Sequence, residues 1–236
     1  MPTGSRFAVA AGVAACAALP LLAGCGQLKQ IGAGPHTAPA TAFTVTAHVT
    51  TLVIDGGAGT IDVTGSNRDT VLVSQQPSYS TTPPATAHSV AGATLTLSYT
   101  CAAQLVCGVA YVVQVPRDVA VRAVTRAGAI TLTSLAGPVS AQTIAGLITA
   151  TGLGSPAAEF KSNAGGIDAT FSAAPDSVRA STNVGPITIG VPGSASYKVD
   201  THTYVGASTV TVRENAASPH TITASSDLGS ITISPS

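Results

Sequence analysis

Charged and aromatic side chains are both scarce in this 236-residue sequence. Only 8% of its residues are charged, 4% are aromatic, and tryptophan is absent. Because roughly a quarter of a typical globular domain is charged, the polar surface of this chain must consist mainly of Ser and Thr. Lys and Arg together number 10, as do Asp and Glu, so the formal net charge is zero. We therefore expect no binding to nucleic acid and no electrostatic attraction to anionic lipid.

The sequence also lacks the motifs of common catalytic and cofactor sites. It contains no Gly-x-Ser-x-Gly elbow, no phosphate loop and no dinucleotide fingerprint. Its five His residues have no metal-ligand spacing. These absences predict a protein that is not an enzyme and holds no cofactor or metal.

The first 24 residues are typical of a secretory signal peptide. Arg6 supplies the positive start, and an apolar, Ala-rich stretch follows over Phe7–Leu22. A membrane-spanning anchor is the alternative, but this run is shorter than the ~20 residues that a spanning helix needs. Pro20 also interrupts it.

The end of this leader resembles the lipobox of bacterial lipoproteins at all four positions, which are Leu22, Ala23, Gly24 and Cys25. The resemblance implies cleavage before Cys25 and a diacylglycerol on its thiol, although Cys25 could instead pair in a disulfide. It further implies a protein anchored by lipid at the extracytoplasmic face of a cell membrane. Residues 25–42 are then the lipidated Cys and a flexible tether, since Gly, Ala, Pro and Thr dominate there without an apolar period.

Two further cysteines, Cys101 and Cys107, are separated by five residues. An exported protein meets an oxidising compartment, so a structural disulfide that clips a hairpin is the favoured interpretation. Free thiols are the main alternative. A metal site is disfavoured because no His or acidic residue lies between the two cysteines.

The most informative feature is a repeat of Ser or Thr, two residues, Gly, one residue and usually Ile. Residues two and four places after the Gly are apolar, except for Ser208 after Gly206, and a Thr or Asp lies between them. This predicts a strand with one buried and one wet face. The last six copies are 18 to 23 residues apart and follow a partial copy at Gly59, and an array of this kind is typical of a solenoid. The repeat glycines are Gly59, Gly128, Gly146, Gly165, Gly185, Gly206 and Gly229.

These repeats, together with Val112–Pro116, resemble the adhesin-like domains of bacterial envelope proteins, which carry Gly-x-Ile strands in a β-helix or β-roll. The predicted fold is therefore all-β, a single-domain β-solenoid over residues 43–236 with coils of ~18–23 residues. Residues 43–115 are expected to form irregular first coils or a cap, and residues 116–236 the regular repeats. Stacking should align the Ile side chains into an internal ladder.

Two charged features qualify as candidate chemistry. Asp62 and Asp168 occupy equivalent repeat positions, but their coils are distant in sequence, whereas paired carboxylates in glycan hydrolysis lie roughly 5–10 Å apart. Arg117, Arg122 and Arg126 form a small basic cluster. This cluster could bind an acidic glycan or a phosphate, or could be a solvated edge that discourages strand pairing.

The sequence thus predicts a non-catalytic envelope module that is adhesive, binding or structural. Its expected partners are the membrane, through the lipid on Cys25, and a cell-wall polymer or another envelope protein. A sensor or regulatory lipoprotein that serves a membrane partner is the alternative. A glycan-active β-helix enzyme is a further one.

Overall fold

The computed structural model describes residues 35–236, and within this part of the chain strands are the only regular secondary structure. The fold is therefore all-β, as predicted. The strands form one sheet of eleven and one sheet of nine. No helix among these residues is long and apolar enough to cross a membrane.

The eleven-stranded sheet contains β1 (His36–Thr37), β2 (Thr41–Val45), β4 (Ile61–Ser66), β5 (Val71–Tyr79), β8 (Cys107–Pro116), β10 (Ile130–Thr133), β12 (Ile148–Leu153), β14 (Ile167–Phe171), β16 (Ile187–Val191), β18 (Ser208–Val210) and β20 (Ile231–Pro235). The nine-stranded sheet contains β3 (Thr51–Asp55), β6 (Ala85–Ala91), β7 (Thr94–Thr100), β9 (Ala120–Ala127), β11 (Val139–Ala145), β13 (Ala157–Ala164), β15 (Ser177–Val184), β17 (Lys198–Val205) and β19 (Thr221–Leu228).

From β7 onward the chain alternates between the two sheets. We call a strand of the nine-stranded sheet, together with the strand of the other sheet that follows it, a rung. Eight rungs occur in the described residues: β3–β4, β7–β8, β9–β10, β11–β12, β13–β14, β15–β16, β17–β18 and β19–β20. Neighbouring rungs pair in parallel in both sheets. Such pairing buries each apolar strand face against the stack rather than against its own rung.

The order of the rungs in the stack departs from their order in the chain at both ends. Rung β7–β8 lies outside β3–β4, which itself pairs with β9–β10. At the other end, β19–β20 lies between β15–β16 and β17–β18. The last rung of the chain is therefore internal, and the one before it is terminal.

Matching positions of successive repeats lie side by side, so the predicted Ile ladder is present. The register runs from Ile61 through Ile130, Ile148, Ile167 and Ile187 to Ile231. All six are at most 1% exposed. The terminal rung differs, because Ser208 occupies the Ile position there. Its hydroxyl donates to Thr201 Oγ1 at 2.8 Å, so a polar pair replaces apolar side chains at the end of the stack.

The folded part begins earlier than the predicted boundary at residue 43. β1 and β2 lie partly or wholly within the segment expected to be a flexible tether, and both pair antiparallel with β5. Strand β8 pairs with one edge of β5. Strands β1 and β2 pair with the opposite edge, which would otherwise have no backbone partner in the sheet. Phe43 anchors β2, since its ring stacks on that of His88 with centroids 4.3 Å apart.

Residues 43–115 combine two parallel rungs with antiparallel strands. Their antiparallel strands close one end of each sheet, with β1, β2 and β5 beyond β8 and β6 beyond β7. Two rungs of this half still follow the parallel pattern of the repeats. The two halves share one hydrophobic core.

Candidate functional site

The outer face of the nine-stranded sheet carries a charged row. Arg122, Ser140, Glu159 and Arg179 lie in register on β9, β11, β13 and β15, each six residues before its repeat Gly. The residues on either side of them along each strand are buried. The period of two along a strand therefore turns all four side chains outward.

A second row lies two residues further along the same strands. Lys161 stands between Gln142 and Ser181 in this row, and Arg126 follows another two residues along β9. Between β9 and β15 the outer face thus presents four cations but only one carboxylate, that of Glu159. The local charge is positive although the net charge of the whole chain is zero.

Three open grooves lie on this face. The first, of about 330 Å³, is lined by Arg122, Glu159 and Arg179 beside small side chains. A second of about 260 Å³ lies between Arg126 and Lys161. The third, of about 470 Å³, extends from Arg126 to Tyr99 and is also lined by Asp55. The second and third grooves share Val124 and Arg126, and the first lies on the same strands. We call the surface that carries these three grooves the cationic face.

None of the four cations is neutralised by a carboxylate of the described residues. The ion pair found within residues 35–236 is that of His220 Nδ1 with Asp176 Oδ1 at 3.8 Å, and neither belongs to the cationic face. Arg179 donates instead to Ser177 Oγ at 3.0 Å. All four cations are exposed, so their charge is available to a ligand.

The outer face of the eleven-stranded sheet is chemically different. Its outward row consists of hydroxyls and two carboxylates, in the order Asp62, Thr131, Thr149, Asp168, Thr188, Thr232 and Thr209. Asp62 and Asp168 are three strands apart, which corresponds to roughly 14 Å. This distance exceeds that of the carboxylate pairs of glycosidases.

No group of three His, Cys, Asp or Glu side chains in residues 35–236 is arranged to hold a metal ion. The two carboxylates of the equivalent repeat positions are likewise separated. The described surfaces therefore offer side chains that can bind, but the sequence candidates for chemistry are not brought together.

The repeat glycines lie at the corner between the two strands of a rung, stacked from rung to rung. A Cβ on Gly165 would overlap the carbonyl oxygen of Gly146 in the neighbouring rung, and the same holds along the row. The Ser or Thr three residues before each repeat Gly from Gly128 onward explains the other half of the motif. Thr182 is buried and donates to the Gly165 carbonyl at 2.9 Å. Ser226 and Thr203 donate likewise to Gly185 and Gly229. The motif thus serves close stacking.

The predicted disulfide is present. Cys101 and Cys107 are bonded, with Cα atoms 6.1 Å apart. It does not clip a hairpin, because it joins the end of β7 in one sheet to the start of β8 in the other. Within the closed loop, Gln104 Oε1 accepts from the backbone NH groups of Thr81 and Thr82 at 2.9 and 3.2 Å.

The predicted lipobox, Leu22 to Gly24, and the predicted lipidation site Cys25 lie outside the described residues. The three-Arg cluster is not assembled as expected. Arg117 lies in the turn after β8, where it donates to Asn67 Oδ1 at 3.0 Å. Arg122 and Arg126 join Lys161 and Arg179 instead. Aligning the repeats on their glycines would have revealed Arg179, because it precedes Gly185 by the same six residues that separate Arg122 from Gly128.

No family model and no curated protein matches this chain. Among solved structures, a proposed cell adhesion protein from Clostridium sporogenes is 14% identical, with a TM-score of 0.47 over 84% of this chain and 99% of that one. A proposed adhesin from Bacteroides fragilis is 16% identical, with a TM-score of 0.47 over 84% and 97%. A proposed adhesin from Parabacteroides distasonis is 10% identical, with a TM-score of 0.32 over 84% and 97%.

Proposed function

We propose that this chain is a lipid-anchored protein of the extracytoplasmic envelope whose β domain binds an extended polymer without chemical turnover. The lipid on Cys25 would hold the protein at the membrane, and the domain from β1 onward would be a short β-solenoid. The polymer would be part of the cell wall or of a neighbouring envelope surface.

The cationic face carries this proposal. Its three grooves are open and cross several rungs, with volumes of about 330, 260 and 470 Å³, and the second and third meet at Val124 and Arg126. Small-molecule sites are usually concave pockets that bury most of their ligand. A corrugated, open surface that crosses several strands instead suits a ligand that is long and narrow.

The arrangement of the acidic residues supports binding without turnover. Asp62 and Asp168 lie three strands apart on the opposite outer face, and Glu159 is the single carboxylate on the cationic face between β9 and β15. Glycoside hydrolysis by the common mechanisms needs two carboxyl groups that flank one bond.

Co-sedimentation tests the binding role. The full chain, solubilised in nonionic detergent from the cells that make it, is mixed with the insoluble wall fraction of those cells and centrifuged. We expect saturable retention and no release of soluble sugar from the wall. Linear, non-saturating retention or the release of sugar fragments would contradict the proposal.

Metabolic labelling tests the anchor separately. We expect an alkyne-tagged fatty acid to label the wild-type chain and to leave the Cys25→Ser variant unlabelled. The matched control is the Cys101→Ser, Cys107→Ser double variant, which should keep its label. Equal labelling of the Cys25→Ser variant would refute lipidation at that residue.

A further inference from the structure

We propose that the cationic face binds a linear anionic polymer, whose phosphate or carboxylate groups pair with Arg122, Arg126, Lys161 and Arg179. This inference rests on the proposed binding function and specifies its ligand and surface. Four exposed cations without a carboxylate partner among the described residues remain free to neutralise anions of a ligand.

The spacing of the cations excludes a single small anion as the intended ligand. Arg122 and Arg126 are four residues apart on one strand, which corresponds to roughly 13 Å. Arg122 and Arg179 are three strands apart in register, which corresponds to roughly 14 Å. One phosphate cannot contact all of them, whereas a chain with several charged units can. Joined contacts of this kind gain affinity through effective concentration.

The surface between the cations can accept the backbone of such a chain. The groove that contains Arg122 and Arg179 is floored by the small side chains of Ala120, Pro138 and Ala157. At Gly57, a Cβ would come within 3.0 Å of an Arg126 guanidinium nitrogen. The absence of a side chain at Gly57 therefore lets Arg126 lie against the backbone, where its position is restricted.

The outer face of the eleven-stranded sheet differs in charge from the cationic face. The strands from β10 to β20 in the eleven-stranded sheet present hydroxyls and Asp168 outward but no Lys or Arg. An anionic polymer would find no partner there. The charge asymmetry between the two faces thus directs the polymer to the nine-stranded sheet.

Glu159 makes the proposal sharper, because its carboxylate stands between Arg122 and Arg179 in the same row. It would repel an anionic chain. The Glu159→Gln variant should therefore bind an anionic polymer more tightly than the wild-type chain does. A face that binds neutral glycan through hydroxyl contacts would show no such gain.

The test measures fluorescence anisotropy of labelled polymers with the full chain in nonionic detergent. The probes are inorganic polyphosphate of increasing length, polygalacturonate and neutral dextran. We expect binding to polyphosphate or polygalacturonate that strengthens with chain length and weakens with salt, and no binding to dextran. The two anionic arms show whether phosphate or carboxylate is preferred.

The variant pair is Arg122→Gln with Arg179→Gln, and the matched control is Arg68→Gln with Arg213→Gln, which changes the net charge equally away from the cationic face. We expect affinity for the anionic polymer to fall about tenfold or more in the first pair, and less than about twofold in the control. An equal loss in both pairs, or equal affinity for dextran, would overturn the proposal.

The wall co-sedimentation separates the two proposals. If the Arg122→Gln, Arg179→Gln variant is retained as well as the wild-type chain, the binding function stands and the cationic face is refuted as its site. If the wild-type chain is not retained at all, the proposed function itself fails. Loss of retention in this variant alone supports both.

Discussion

At the repeat Gly there is no room for a side chain, because the backbone of the neighbouring rung lies too close to its Cα atom. A Cβ on Gly165 would overlap the Gly146 carbonyl oxygen, and the φ of Gly165 is +148°. We expect Gly165→Ala to lower the free energy of unfolding by about 3 kcal/mol or more, since steric overlap with backbone adds to backbone strain. Urea unfolding followed by circular dichroism measures the loss.

Gly92 provides a matched control for this prediction. Its φ is also positive, +59°, but a Cβ there would meet nothing within 4 Å. Gly92→Ala should therefore cost only about 1 kcal/mol, from backbone strain alone. Equal losses in the two variants would show that overlap between the rungs is not what fixes the repeat Gly.

Two fully buried tyrosines give opposite predictions for the loss of one hydroxyl. The Tyr111 hydroxyl has no hydrogen-bond partner among the described residues, whereas Tyr197 donates to the Pro192 carbonyl at 2.9 Å. We expect Tyr111→Phe to leave stability unchanged or raise it by about 1 kcal/mol, and Tyr197→Phe to lower it by about 1 kcal/mol. Thermal unfolding at neutral pH distinguishes them, and a destabilised Tyr111→Phe variant would contradict this account.

Tyr111 should also make the free energy of unfolding depend on pH in the alkaline range. Burial, with a smaller effect from the charge on Tyr99, raises the pKa of Tyr111 from 10.0 to about 12. The folded chain then keeps this proton at a pH where the unfolded chain has lost it. The contribution that this difference in pKa makes to the free energy of unfolding is fully present below pH 10 and is lost as pH rises through about 12. Urea midpoints measured over this interval should fall less steeply in Tyr111→Phe. An unchanged slope would argue against the shift.

At the scale of elements, the disulfide ties a cross-sheet connection rather than a hairpin. Removing it frees the loop between β7 and β8, and Gln104 then loses its fixed position beside Thr81 and Thr82. Closing a loop of this size is worth about 2 kcal/mol. We expect the Cys101→Ser, Cys107→Ser variant to lose about that much in urea unfolding, and wild-type protein in reducing agent to lose the same. A stability that reducing agent leaves unchanged would contradict this prediction.

Individual elements were predictable where the evidence was local. The alternation after each repeat Gly predicts the strands and their buried faces, because period two along a strand needs only neighbouring residues. The cationic face was found in part, since Arg122 and Arg126 share one strand. Arg179 was missed although the common offset from the repeat Gly gives its register with Arg122, whereas Lys161 has no cation at the matching position of β9 or β15. Strand β1 and the first two residues of β2 were missed because antiparallel pairing with β5 gives no signal in a segment rich in Ala, Pro and Thr.

For the whole molecule, the order of the rungs could not be deduced from the repeats. Both Gly206 and Gly229 follow Gly185 in the motif series, and the spacing of the motifs does not show which rung is internal. One difference in the sequence fits the result. The rung of Gly206 has Ser208 at the Ile position, where an internal rung would leave a polar side chain in the core. Gly229 is followed by Ile231, so its rung suits the interior.

Cross-linking between rungs tests this order directly. Thr188 pairs with Thr232 on adjacent strands of the eleven-stranded sheet, and Thr209 lies one strand further out. Adjacent strands are about 4.8 Å apart, within reach of a disulfide, and strands two apart are not. We expect Thr188→Cys with Thr232→Cys to cross-link on mild oxidation, and Thr188→Cys with Thr209→Cys to stay unlinked, as read by mass spectrometry of the linked peptides. If the rungs were stacked in chain order, the second pair would link and the first would not, because β18 would then lie next to β16 and separate it from β20.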